Sequence, residues 1–340
     1  MKSARTRRIW LLSLFAGGVI LLAARLAPPA SADIGTCPVF PSNNVWNVRV
    51  DSLPVDANSN AYIQNMSPAN GLHPDFGTVW NGAPNGIPYT TVPGSQPLVP
   101  ITFSPNGYPD ESDKGPFPIP TAAPIEGGPN GTGDRHVLVI DQGHCLLYEL
   151  YQAFPQSDGS WMVDSSAKYD LNSNALRPDT WTSADAAGLP MFSGLVRYDE
   201  VQSGAINHAI RFTVNNTRSA HVWPARHDAS SLTGAQYPPM GQRFRLKASV
   251  DISGYPQTEQ VIFRAMQQYG LILADNGSDW YISGAPDSHW NDDELVGNFG
   301  QLHGSDFEAV DESGLMVDPN SGQAGPGPVW NLFWLPFIQR

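Results

Sequence analysis

Between Ser183 and His227 the sequence gathers Asp185, Arg197, Asp199, Glu200, His208, Arg211, His221, Arg226 and His227 among apolar residues. Ionisable groups are costly in such surroundings unless they pair or do chemistry, so a site is expected here. His208, with Ile206, Ile210 and Phe212 at alternate positions, reads as a hydrogen-bonded core histidine or as a general acid or base tuned by its apolar wall. Arg211 shares the other face of that stretch with Asn207, a polar pair suited to sugar hydroxyls or a carboxylate. His221, Trp223, Arg226 and His227 fall in a turn-rich segment, where an aromatic beside His and Arg suits a sugar-binding cleft. The His221/His227 spacing matches no specific metal template, so no metal and no cofactor are expected.

Glycoside hydrolysis commonly uses two carboxyl groups, one protonated and one ionised. Asp185, Asp199, Glu200, Asp275 and Glu308 are the candidates. Asp275 has the best context, because it ends an apolar run and precedes Asn276-Gly277, which places it at a sheet margin or makes it a turn stabiliser. Catalytic roles are therefore expected of Asp275, Glu200, Asp185 and His208, with Arg211, His221, Trp223, Arg226, His227 and Asn276 binding substrate. A polysaccharide lyase would instead take a His or Tyr base and a neutralising Arg from His208, Tyr198, Arg211, His221 and Arg226.

Several chemistries lack their signatures. There is no H-E-x-x-H, G-x-S-x-G, P-loop or G-x-G-x-x-G string. A basic start, an apolar run from Ile9 to Ala24 and Ala30-Ser31-Ala32 read residues 1–32 as a cleaved export signal, with a partial twin-arginine match at Thr6-Arg7-Arg8. Its loss removes five positive charges and takes the formal charge from −13 to −18. So acidic a chain is not expected to bind nucleic acid, nor a membrane once the signal is gone. Outside the cytoplasm, Cys37 and Cys145, the only cysteines, are expected to form a disulfide.

The elements that must position these residues read as mostly β, a sandwich or jelly-roll core with one or two packed helices. Residues 33–130 are rich in Pro, Gly and Asn, and form a loop-rich arm wrapping the main sheet. Residues 131–311 form the β-rich core, starting with a hairpin that folds RHVLVID back through Gln142-Gly143 onto Cys145 to Phe154. Trp161 to Leu171, Ala205 to Thr213 and Arg243 to Val250 read as further strands. Pro256 to Tyr269, stopped by Gly270, reads as a helix, followed by a strand from Leu271 to Ala274. A short helix is expected over Asp292 to Leu302 and a strand over Asp306 to Asp311. Residues 312–340 read as a Gly/Pro tether ending in an apolar tail from Val329 to Ile338 that packs on the body.

The strings SADAAGLP, GLVRYDEV, HAIRFT, HVWPARH, PMGQRFRL and ADNG resemble a group of secreted microbial proteins of unassigned activity. The likeness spans roughly residues 134–311 and implies one structural unit but no reaction. The expected function is thus a secreted glycoside hydrolase on a polysaccharide or oligosaccharide, with a lyase or a non-catalytic carbohydrate-binding or adhesion protein as alternatives. Oligomeric state stays open.

Overall fold

Pro256 precedes a helix over Gln257–Gln268, and Gly270, at φ +74°, turns the chain out of it into the Leu271–Asn276 strand. Val261, Ile262, Ala265 and Met266 form its buried stripe, which packs beneath the largest sheet. This computed structural model describes residues 33–326; the expected signal 1–32 and the apolar tail from Val329 to Ile338 lie outside the described residues.

The chain is mostly β, with strands spread over several sheets and few helices. The largest sheet has six strands, ordered His73–Asp75, Tyr281–Ser283, Ile210–Val214, Leu271–Asn276, Arg243–Leu246 and Phe307–Ala309. A second runs Ser165–Asp170, Leu146–Tyr151, Val137–Asp141 and Tyr89–Val92. Both mix parallel and antiparallel pairs: Ile210–Val214 runs parallel to Leu271–Asn276, and Tyr89–Val92 parallel to Val137–Asp141. Such pairing departs from the antiparallel Greek keys that define a jelly roll.

The expected meander is present, with Val137–Asp141, Leu146–Tyr151 and Ser165–Asp170 antiparallel in turn. Both of its faces are covered. Leu138, Ile140, Leu147 and Tyr169 join the main core with Phe212, Phe244 and Ile282. Val137, Val139, Tyr148 and Leu150 pack against Phe117, Trp161 and Val163 in a second cluster. The Cys37–Cys145 disulfide forms and ties the start of the arm to the hairpin turn.

The arm reaches into both sheets through His73–Asp75 and Tyr89–Val92, and carries a short helix at Ser59–Asn65 that sequence periodicity missed. Arg243 and Arg245 face away from the core, as alternation required, yet not into solvent. Arg243 donates to the carbonyls of Tyr269, Val45 and Val48, and Arg245 to those of Val50 and Leu53. These cations satisfy the backbone of a segment with little ladder of its own.

Two expectations are corrected. The strand expected from Ala205 begins at Ile210, because Ala205 N–H bonds Glu200 O and Ala209 N–H bonds Trp46 O, which hold residues 205–209 out of the sheet. The described part of the tether is fastened: Trp223 Nε1 donates to Ser321 O at 2.8 Å, and Arg226 to Pro319 O and Asn320 Oδ1 at 2.7 and 3.0 Å.

Candidate functional site

Where the six- and four-stranded sheets face each other, their ends leave a cleft of about 300 Å³. The hairpin sets one wall, since pairing Val137 with Leu150 brings His136 opposite Tyr151, their rings 5.5 Å apart. Tyr151 in turn pairs with Ser165, whose hydroxyl donates to Ser183 O at 2.6 Å. The other wall is the polar face of the six-stranded sheet, from which Asp275 enters the cleft. Thr182 to Ala186, His227, Ala229, Asn276, Tyr108 and Asp134 complete the lining.

Arg211 organises the charge. It is 4% exposed and fully committed: Nε and Nη2 grip both oxygens of Asp185 at 2.9 and 2.8 Å, Nη2 also reaches Asp275 Oδ2 at 3.1 Å, and Nη1 donates to Ser283 Oγ at 2.7 Å. Asp185 is sealed, but the Asp275 side chain keeps 25% of its surface. Burial first, then the nearby Asp185 charge, push Asp275 up to about 7, against the pull of Arg211. Asp275 Oδ1 accepts from Asn276 N–H and Oδ2 from Arg211, and each oxygen keeps a second lone pair for a proton.

Behind the cleft lies His136, buried, with Nδ1 2.6 Å from Glu126 Oε2 and Nε2 3.1 Å from Ala184 O. Both partners only accept, so both ring nitrogens carry protons. Burial opposes that charge, but Glu126 overrides it and holds His136 up to about 9, while Glu126 is held below its usual range. His227 differs: Nδ1 lies 2.7 Å from Ala186 O, and Nε2 lies 3.8 Å from Glu111 Oε2. Tyr151 is raised by burial and by the charges of Asp134 and Asp275, so its phenol stays protonated and can donate.

Of the residues expected from sequence, Asp275, Asp185, Arg211, His227 and Asn276 meet at this cleft. Asn276 is structural in its contacts, accepting from Thr217 Oγ1 and donating to Ala229 O, both at 2.7 Å. Glu200 and His208 lie instead in a sealed cluster: His208 Nε2 is 3.1 Å from Glu200 Oε2 and Arg197 Nη2 is 2.8 Å from Glu200 Oε1. The Arg197 contact is an ion pair without hydrogen-bond alignment, and its guanidinium stacks 4.8 Å over Phe192. His208 Nδ1 lies 2.7 Å from Ala209 O, which is the core-histidine reading.

Trp223 lines a different pocket with Glu312 and Met316. Arg226 is spent on carbonyls and Asn320, and His221 sits between Asp179 and Asp228 at 3.2 and 3.3 Å. Tyr198 stacks on His289 and meets Trp290 edge-on. Sequence reasoning missed Asp134, His136, Tyr151 and Glu126. The hairpin register held the signal for two of them, since folding the chain about Gln142-Gly143 sets His136 across from Tyr151.

Among the described residues no group of three or more His, Cys, Asp or Glu side chains could hold a metal ion, and no helix is long and apolar enough to cross a membrane. Comparison with family models, with curated proteins and with solved structures finds no match.

Proposed function

We propose that the protein is a secreted carbohydrate-active enzyme, a glycoside hydrolase in which Asp275 is the general acid. One observation carries the reading: a partly exposed carboxyl on a cleft wall, raised to about 7 by burial and a neighbouring carboxylate, so that it still holds a proton near neutral pH. Asp134, exposed on the same cleft, is the second carboxyl, which activates water or meets the sugar ring. Asp185 and Arg211 touch no substrate in this scheme; they position Asp275 and set its proton affinity. Tyr151 remains to bond sugar hydroxyls. The disulfide and the acidic charge accord with a protein that works outside the cell.

A lyase needs an accessible cation to neutralise a uronate, and among the described residues no Lys or Arg lines this cleft. A binding protein has no use for a protonated carboxyl on the wall of its cleft. The test is product release from a polysaccharide panel read by mass spectrometry, repeated with Asp275→Asn. Saturated fragments that vanish in the variant support the hydrolase. Unsaturated fragments would move the assignment to a lyase, and binding without fragments would sink the enzyme.

A further inference from the structure

A larger groove of about 770 Å³ lies further along the six-stranded sheet, lined by His73, Asp75, Val79, Trp80, Tyr281, Asp292, Asp293 and Val296 among others. Trp80 is 70% exposed at the tip of the hairpin pairing Val79–Trp80 with Ala83–Pro84, and Val79 and Val296 are 59% and 53% exposed. An indole left so open beside two exposed valines marks a contact surface.

The strand register ties this groove to the cleft. Asp275 pairs with Thr213, Thr213 with Tyr281, and Tyr281 with His73, so these four side chains form one row on one face of the sheet. Asp75 pairs with Ser283, whose hydroxyl receives Arg211, and this second row lies beside the first. Asp75 also sits close enough to Arg211, Glu126 and Asp134 for their charges to bear on its carboxyl. Three strand spacings separate Asp275 from His73, about 14 Å, the length of about three linked pyranose rings. The groove supplies stacking faces in Trp80 and in Tyr281, whose ring lies 4.3 Å from that of His73. Acceptors for sugar hydroxyls come from Asp75 and Asp293, and among the described residues no Lys or Arg lines it.

We propose that this groove is a set of outer subsites that hold an uncharged glycan chain extending from the Asp275 cleft. The inference rests on the hydrolase reading and adds the substrate's form to it: a polymer several sugars long and without uronate groups, which the acidic lining would repel. It makes Trp80 a binding residue and predicts that chain length governs affinity.

The experiment measures binding of cellohexaose, xylohexaose, mannohexaose and chitohexaose, each against its disaccharide, with hexagalacturonate as the charged comparison. It uses Asp275→Asn protein, to prevent turnover, with and without Trp80→Ala. A neutral hexasaccharide should bind at least about tenfold tighter than its disaccharide, Trp80→Ala should remove most of that gain, and Trp80→Phe should restore part of it. Trp80 lies on the surface, so its loss leaves the core intact. An unchanged hexasaccharide affinity in Trp80→Ala overturns the groove, while the hydrolase reading stands if otherwise wild-type protein still releases product and Asp275→Asn does not. Preference for hexagalacturonate overturns the uncharged chain. No binding of any hexasaccharide overturns the groove, and with no product release from wild-type protein the hydrolase reading falls too.

Discussion

In one buried cluster Arg211 holds Asp185 and Asp275; in another, Arg197 and His208 hold Glu200. The residue types are alike, and each centres on a cation nearly out of water. They differ in one respect. Glu200 is buried, and Arg197 and His208 hold it below the usual carboxylate range, whereas Asp275 faces a cleft, where burial and then the sealed Asp185 carboxylate beside it push it up. Arg197 also has a second acid, the exposed Asp199 at 3.8 Å, so a shared guanidinium is not what sets Asp275 apart; a sealed carboxylate, Asp185, set beside a cleft-facing one is what makes an acid with a proton to give.

The largest expected effect separates the two clusters directly. Asp275→Asn should lower product release by about 10²- to 10⁴-fold, with its unfolding transition close to the wild type's. Glu200→Gln should do the reverse, lowering the melting temperature while leaving kcat/KM of the folded fraction within about twofold. If the two variants exchanged behaviours in side-by-side kinetics and thermal melts, the assignment of roles would be wrong. The wild-type rate should also fall as pH rises above about 7, because the acid then loses its proton; a rate still climbing between pH 7 and 9 would remove Asp275 from that role.

Next in size is the cost of removing each cation. Arg211→Met leaves Asp185 buried without its partner, a loss of about 3–5 kcal/mol measured by urea unfolding. Arg197→Met should cost less, since His208 still pairs with Glu200 and the methionine stem can lie on Phe192. Equal losses would mean that Arg197 bears more of its cluster than its poorly aligned contact with Glu200 implies.

Much of the frame is legible in the residues because the signals are local. Pro256 and Gly270 bracket their helix, Gln142-Gly143 turns the hairpin, and two cysteines leave one pairing. The site is legible only in part. Asp275, Asp185 and Arg211 stand out as charges among apolar residues, but so do Glu200, His208 and Arg226, and sequence spacing does not tell a sealed charge from an open one. His208 shows why. Alternation set it on a strand face, yet the strand starts two residues later, after backbone bonds to Glu200 and Trp46 have fixed the chain. Asp134, His136 and Glu126 escaped notice because they sit before the core strands, where only register and tertiary packing bring them to Asp275.

The smallest effect asks whether pH-sensitive stability belongs to the cleft alone. Glu312 is buried beside Arg243, 3.5 Å away, outside the cleft, and burial raises it to about 7 despite that cation. A carboxyl whose folded value lies above its unfolded one favours folding while protonated. Its contribution is therefore full below the ordinary glutamate range and is lost as pH rises through about 7. Glu149, raised to about 7 by burial although it accepts the Met191 and Phe192 N–H groups, acts in the same sense. Glu126 and Glu200, held low by His136 and by Arg197 with His208, act in the opposite sense, and their contribution is lost as pH falls. Glu312→Gln should thus narrow the drop in melting temperature between pH 5 and pH 8, by the equivalent of at most about 3 kcal/mol, and leave the pH–rate profile alone. A drop as wide as the wild type's would show that Glu312 is already ionised at neutral pH. In that case its ion pair with Arg243 outweighs its burial, as Arg197 and His208 outweigh the burial of Glu200.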